Sequence, residues 1–312
     1  MADITGLVLP FFGLILIGYV VAKWKQMPAD ALGWLNIFII YVSLPALFYK
    51  LIAKTPIEQL TRFDFIATDI AATYTVFVVI FVVGWLARRA SVAEATVQGL
   101  AAAYGNIGYM GPGLALLAFG EAAAVPVALI FCFENMLHFM VAPALIALGG
   151  GDRRPIMSVV RDAVLRIVLH PFIIATAVGF AAAALHFQAP LPLQRLIDYL
   201  AQAAAPCALF AMGVTLALRP LKRIPAEIGY IVPAKLVLLP ALMYLYLSAA
   251  GNFDHVWVET AVLLAALPTA TNVFVIGQQY SVWQERASAT VLITTLFSVL
   301  TRSGALPGDL FP

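Results

Sequence analysis

Apolar runs of about 20 residues recur along the chain, with charged residues gathered in short clusters between them. That spacing predicts membrane-spanning helices. Ten spans are expected, at approximately 5–22, 32–51, 66–87, 95–119, 123–148, 167–187, 195–218, 228–249, 257–279 and 286–305. The alternating apolar and polar positions of a membrane β-barrel are missing, so the expected fold is an all-α membrane protein.

Composition agrees with the pattern. Of 312 residues, 63% are hydrophobic and only 11% charged. A soluble domain carries roughly a quarter charged residues to cover its surface. The distribution of the cations sets an orientation. Loops after odd-numbered spans carry Lys23, Lys25, Arg88, Arg89, Arg153, Arg154, Arg161, Arg166, Arg219, Lys222, Arg223 and Arg286. Even loops and tails carry Lys50, Lys54, Arg62, Arg195 and Arg302. Odd loops are therefore expected to be cytoplasmic, with both termini outside. Residues 5–22 follow no cation and precede no small-residue cleavage site, so they are expected to stay as the first span rather than leave as a signal peptide. The net charge of +2 includes no basic block, and no nucleic-acid partner is expected.

Shifting the chain by 161 residues brings landmarks into register. Pro10 meets Pro171, Gly18 meets Gly179, Pro45 meets Pro206 and Phe119 meets Tyr280. The expected organisation is two five-span repeats, 1–150 and 151–312, joined through the polar segment Gly149–Arg161. Five is odd, so the second copy enters the membrane from the opposite side. Inverted repeats of this kind build alternating-access transporters, with the site between broken helices.

The fourth element of each repeat is where the backbone should break. "YGNIGYMGPGLALLAFGE" (104–121) contains Gly105, Asn106, Gly108, Gly111, Pro112 and Gly113. "LPTATNVFVIG" (267–277) contains Pro268, Thr269, Thr271 and Asn272. Proline removes a backbone donor, and glycine lowers the cost of unwinding. One such helix is an ordinary packing kink. Two at equivalent places in inverted repeats predict a substrate site, with half-helix N-termini offering free N–H groups to an anion. Asn106 and Asn272 each bring a donor and an acceptor to that crossing.

Ionisable residues inside spans are Asp69, Glu134, His138 and Lys235. Glu134 and His138 lie four apart on one helical face. They form either a proton-responsive pair or a structural hydrogen-bonded one. Asp69 and Lys235 occupy matching elements of the two repeats, as a buried ion pair, an ion-coupling site, or a lysine capped by carbonyls. No phosphate loop, zinc-protease helix or serine-nucleophile turn is present, so neither an enzyme nor a cofactor is expected.

Three stretches carry a family resemblance: "NIGYMGPGLALLAFG", "ALPTATNVFVIGQQY" and "ASATVLITTLFSVLT", together with "SLPALF" in span two and "FIATD" in span three. In order and spacing they resemble the auxin efflux carrier family, which includes plant auxin exporters and bacterial permeases assigned to malate or malonate. The resemblance implies a crossover fold similar to sodium/proton antiporters and bile-acid transporters. Spans 1, 2, 6 and 7 would form a scaffold, dimerising through spans 2 and 7, and spans 3–5 and 8–10 a moving transport domain. It places Asn106, Gly108, Tyr109, Pro112, Pro268, Thr269 and Asn272 on the crossover motifs. Ser43, Glu134 and His138 fall near the substrate pocket, and Asp69 falls on the support site. Two positions depart from the family pattern: proline stands one place early in Gly111-Pro112-Gly113, and Thr73 replaces a lysine of the plant proteins.

The expected function is thus a secondary transporter of a small organic anion in a bacterial inner membrane, working by an elevator-like motion. Two alternatives accompany it: a proton- or sodium-coupled carrier using Asp69, Lys235 or Glu134, and a membrane-embedded sensor that does not turn over.

Overall fold

Helix is the regular element throughout the described residues, as a backbone surrounded by lipid requires. The computed structural model describes residues 2–28, 31–149, 157–158, 161, 164–165, 168–169, 171–218 and 224–302. Most of the joining segment 149–161, and Arg153, Arg154, Arg166, Arg219, Lys222 and Arg223, lie outside them. Among the described residues, five helical stretches are long and apolar enough to cross a membrane: Gly33–Ala53, Ile57–Ala87, Gly111–Leu148, Leu191–Leu218 and Ile228–Ala250. Large apolar side chains point outward, Trp34 at 84% exposure and Leu185 at 78%, a surface that water would not tolerate in quantity.

The chain divides into two units. The first comprises residues 1–62, 109–129 and 168–220. Within it the Ala2–Lys25 helix packs along Leu191–Leu218, and Leu44–Ala53 packs against both Leu191–Leu218 and Pro171–Ala184. Glycines make the first of these contacts close. A Cβ on Gly18 would collide with the Phe210 carbonyl, and one on Gly213 with the Ile15 carbonyl.

The second unit comprises residues 63–108, 130–167 and 221–312. Here Phe63–Val82 lies beside Val92–Ala103 and Leu239–Ala250, the latter also beside His255–Ala265, and Thr271–Gln279 beside Gln284–Arg302. Phe65 packs edge-on against Trp257 and Phe253, with centroids 4.9 and 5.4 Å away. Ser91 and Glu94 form a reciprocal capping box at the start of Val92–Ala103.

Among the described residues, three wide π-helical turns interrupt the helices, at Ile39–Ser43, Val83–Ala87 and Ala234–Leu238. Two share a local cause. The Leu44 N–H reaches back to Ile39 and the Leu239 N–H to Ala234, and each leucine is followed by a proline with no N–H to offer. Ser43 ends one such turn, and Lys235 lies inside another.

Candidate functional site

Both expected breaks occur. The Val92–Ala103 helix stops, residues 104–110 leave helical geometry, and a new helix runs over Gly111–Phe119. Similarly, His255–Ala265 stops and Thr271–Gln279 begins after an interruption. In the second unit the two interruptions pair as a single antiparallel β-bridge between Gly105 and Thr269. The Asn106 N–H donates to the Pro268 carbonyl at 2.8 Å, and the Ala270 N–H to the Tyr104 carbonyl at 2.9 Å. Each broken chain thereby supplies what the other has lost, which is how unwound backbone survives away from water.

The helix ends left at the breaks are also answered. Thr269 Oγ1 donates to the Ala101 carbonyl at 2.6 Å, near the end of Val92–Ala103. Lys235 Nζ donates to the Ala265 carbonyl at 2.5 Å, at the end of His255–Ala265. A fully buried ammonium thus meets the partial negative charge of a helix C-terminus. Lys235 is thus capped by a carbonyl, and neither Asp69 carboxylate oxygen meets a donor among the described residues. Thr269, expected to touch substrate, commits its one hydroxyl proton to the backbone.

Glycine serves here by volume. None of the glycines of the first break has a positive φ. A Cβ on Gly105 would instead sit 3.0 Å from the Leu264 carbonyl and 3.3 Å from Lys235 Nζ, and one on Gly108 would sit 3.0 Å from the Phe131 ring. Gly105→Ala is expected to displace the ammonium from Ala265 and lower stability by about 1–3 kcal/mol, measured as a fall in apparent Tm in detergent. An unchanged Tm would mean that Lys235 is not held where Gly105 lets it sit.

A line of hydrogen bonds leads away from the bridge. Asn272 Nδ2 donates to the Tyr104 hydroxyl at 2.7 Å. Tyr104 donates in turn to Asn135 Oδ1, and Asn135 Nδ2 donates to the Phe131 carbonyl at 2.5 Å. Tyr104 also packs on His138 at 4.3 Å between centroids. Neither Tyr104 nor Asn135 is among the residues expected from sequence, although Asn135 adjoins Glu134 in "FENMLH". Asn272 is half-buried and is the second residue of a helix whose N-terminus has no side-chain cap. Asn106 is 1% exposed and pairs through its backbone with Pro268.

Glu134 and His138 do share a face, but each bonds elsewhere. Thr73 Oγ1 donates to Glu134 Oε1 at 2.6 Å, and the Tyr74 hydroxyl lies 3.3 Å from His138 Nδ1. Consecutive residues of Phe63–Val82 thus hold both groups. Asp69 lies on the same helix, 1% exposed, and neither of its carboxylate oxygens meets a donor. The Glu134 carboxyl lies beside it. Asp69, Glu134, Gly105, Ile107, Met243 and Leu264 line a seam with about 200 Å³ of empty space, none of it wide enough to seat a water molecule. Among the described residues, no group of three His, Cys, Asp or Glu side chains is arranged to hold a metal.

Ser43, Tyr109 and Pro112 belong to the first unit. Ser43 is fully buried, its hydroxyl 3.4 Å from the Ile39 carbonyl across the π-turn. Pro112 stands in the first turn of Gly111–Phe119, which also begins without a side-chain cap. A proline there gives up an N–H that the helix would have left unbonded anyway. In this helix, an early proline is compatible with an intact half-helix start.

Sequence comparison bears on what this arrangement serves. The profile of the family described as "Membrane transport protein" matches residues 3–305. A protein of Rhizobium meliloti (strain 1021), described as "Putative malonate transporter", is 69% identical over 320 residues, covering 100% of both chains. The "Uncharacterized transporter YfdV" of Escherichia coli (strain K12) is 24% identical over 307 residues, 95% of this chain and 94% of that one.

Proposed function

This chain belongs to the membrane transport protein family, and from that premise we propose that it carries malonate, or a closely similar small organic anion, by alternating access. One observation carries the reading. Asn272 sits at an uncapped half-helix N-terminus, held by Tyr104, where the backbones of two broken helices pair. Its second amide proton and the first-turn N–H groups form a donor set suited to a carboxylate. The buried ammonium of Lys235, in the same unit, adds positive charge. The relative described as a malonate transporter, at 69% identity, supports a short dicarboxylate over a bulky aromatic acid.

In this reading ten spans form two inverted repeats. Spans 1, 2, 6 and 7 make a scaffold that dimerises through spans 2 and 7, and spans 3–5 and 8–10 move, in an inner membrane with both termini periplasmic. The division into units supports most of it: residues 1–62 and 168–220 group together, as do 63–108 and 221–302. The Gly111–Phe119 half-helix groups with the first set instead, although in this reading it moves with the rest of span four. Counterflow of labelled malonate in proteoliposomes tests the proposal. Exchange that a panel of carboxylates competes for is expected; no exchange of any of them would leave a binding protein or sensor.

The Asp69–Glu134 pair favours coupling to a cation as a second reading. Two neighbouring buried carboxyl groups meet a single hydrogen-bond donor among the described residues, the Thr73 hydroxyl. A proton held between them, or a cation entering as the seam opens, answers both. Asp69→Asn supplies a permanent donor and is expected to fold normally while losing acceleration of transport by an imposed proton or sodium gradient. A wild-type carrier indifferent to both gradients would be a uniporter.

A further inference from the structure

Beside the π-turn Val83–Ala87, in the second unit, lies a cleft lined by none of the residues of the paired breaks. It encloses about 380 Å³ and is lined by Arg88, Arg89, Glu94, Gln98, Glu227 and Arg286. Its acceptors already have partners. Arg286 Nη1 holds Glu227 Oε1 at 2.7 Å. Glu94 Oε2 accepts the Ser91 N–H at 3.3 Å in the capping box, and Gln98 Oε1 accepts the Tyr230 hydroxyl at 2.7 Å. Arg88 and Arg89, by contrast, are exposed and make no ion pair among the described residues. Three guanidinium groups face two carboxylates, and the unpaired charge is positive.

The two free arginines are not on a loose loop. The Arg88 N–H bonds back to Val83 at 3.2 Å and the Ala90 N–H to Gly84 at 3.0 Å. Arg89 itself is held at φ +54°, a left-handed conformation unfavourable for a long side chain. The turn thus presents both guanidinium groups from a fixed backbone. Immediately before them, Trp85 and Leu86 are 47% and 63% exposed, an aromatic and an aliphatic side chain on the outside of a membrane-spanning helix.

We propose that this cleft binds the phosphate group of an anionic lipid, with Arg88 and Arg89 on its oxygens and Trp85 and Leu86 against its acyl chains. Guanidinium forks match phosphate oxygens in pairs of charge-assisted hydrogen bonds. The apolar flank is what separates a lipid from a soluble phosphate, which would need only the charges. The charge distribution assigned to the loops puts this end at the cytoplasmic leaflet, where basic pockets between helices meet anionic headgroups. A bound headgroup would tie the 83–90 turn to Glu227 and Arg286, which precede Ile228–Pro233 and stand in the first turn of Gln284–Arg302.

The test is lipid binding by the purified full chain. Phosphatidylglycerol added to detergent-solubilised protein is expected to raise its apparent Tm and to appear as retained lipid in native mass spectra, with phosphatidylcholine doing neither. The double variant Arg88→Gln/Arg89→Gln is expected to bind phosphatidylglycerol about 30-fold more weakly, at roughly a factor of five per lost cation. Lys23→Gln/Lys25→Gln removes equal charge from another odd-numbered loop and is expected to bind as wild type. Equal weakening in both double variants, or none in the arginine variant, overturns the site. Glycerol phosphate serves as the soluble arm. Stabilisation by it, lost in the arginine variant and not matched by phosphatidylglycerol, would keep the phosphate site and overturn the lipid.

Discussion

Alanine at Asn272 is expected to weaken malonate binding by roughly 10- to 150-fold while the protein still folds. The side chain is half-buried, so its truncation leaves no large cavity. It removes the N–H that the Tyr104 hydroxyl accepts at 2.7 Å and, in the proposed site, one hydrogen bond to a charged ligand. A hydrogen bond to an ionised partner contributes about 1.5–3 kcal/mol, or roughly 10- to 150-fold in Kd. Tyr104→Phe separates positioning from contact: Asn272 remains but loses its anchor, and a smaller loss of about tenfold is expected. Asn106→Ala should weaken binding too, if its side chain as well as its backbone belongs to the site. Calorimetric titration of malonate measures all three. Wild-type affinity in both asparagine variants would refute the crossing as the binding site.

The second large effect is expected on stability. Lys235→Ala leaves the Ala265 carbonyl without its ammonium at the end of a broken helix and empties a fully buried space. Removing one partner of a buried charged interaction costs about 3–5 kcal/mol, which corresponds to an apparent Tm lower by roughly 10 °C. Lys235→Arg is no rescue, because the wider guanidinium meets the crowding that already forbids a side chain at Gly105. A Lys235→Ala protein as stable as wild type would show that the ammonium is not what closes that helix end. Transport should fail in both variants, since the bridge at Gly105 and Thr269 depends on the same helix end staying in place.

The breaks themselves were legible, because proline and glycine act locally: Pro112 and Pro268 mark interruptions wherever the rest of the chain lies. The same holds for the long apolar stretches. Partnerships were not legible. Thr73 was visible only as a departure from a family pattern, yet its hydroxyl bonds Glu134, 61 residues further on. Tyr104 read as one more aromatic in an apolar run, because its links to Asn135 and Asn272 need chain segments 31 and 168 residues away. For Gly105 the sequence suggests backbone freedom, and the structure adds a demand for space that only the Leu264 carbonyl and Lys235 Nζ reveal. The π-turns give no periodicity signal at all, and only the prolines after Leu44 and Leu239 hint at two of them.

The bridge between Gly105 and Thr269 also has a consequence for how the protein is made. Its two halves leave the ribosome more than 160 residues apart, and at about 5–20 residues per second the first waits on the order of ten seconds for the second. During that interval the Asn106 N–H and the Tyr104 carbonyl lack the partners they will have in the finished fold. The nascent chain therefore depends on insertion machinery, or on a lingering contact with water, to shelter an open strand until Pro268 and Ala270 arrive. Chains cut short between these points carry an unfinished joint into the bilayer, and quality-control proteases would have that joint to recognise.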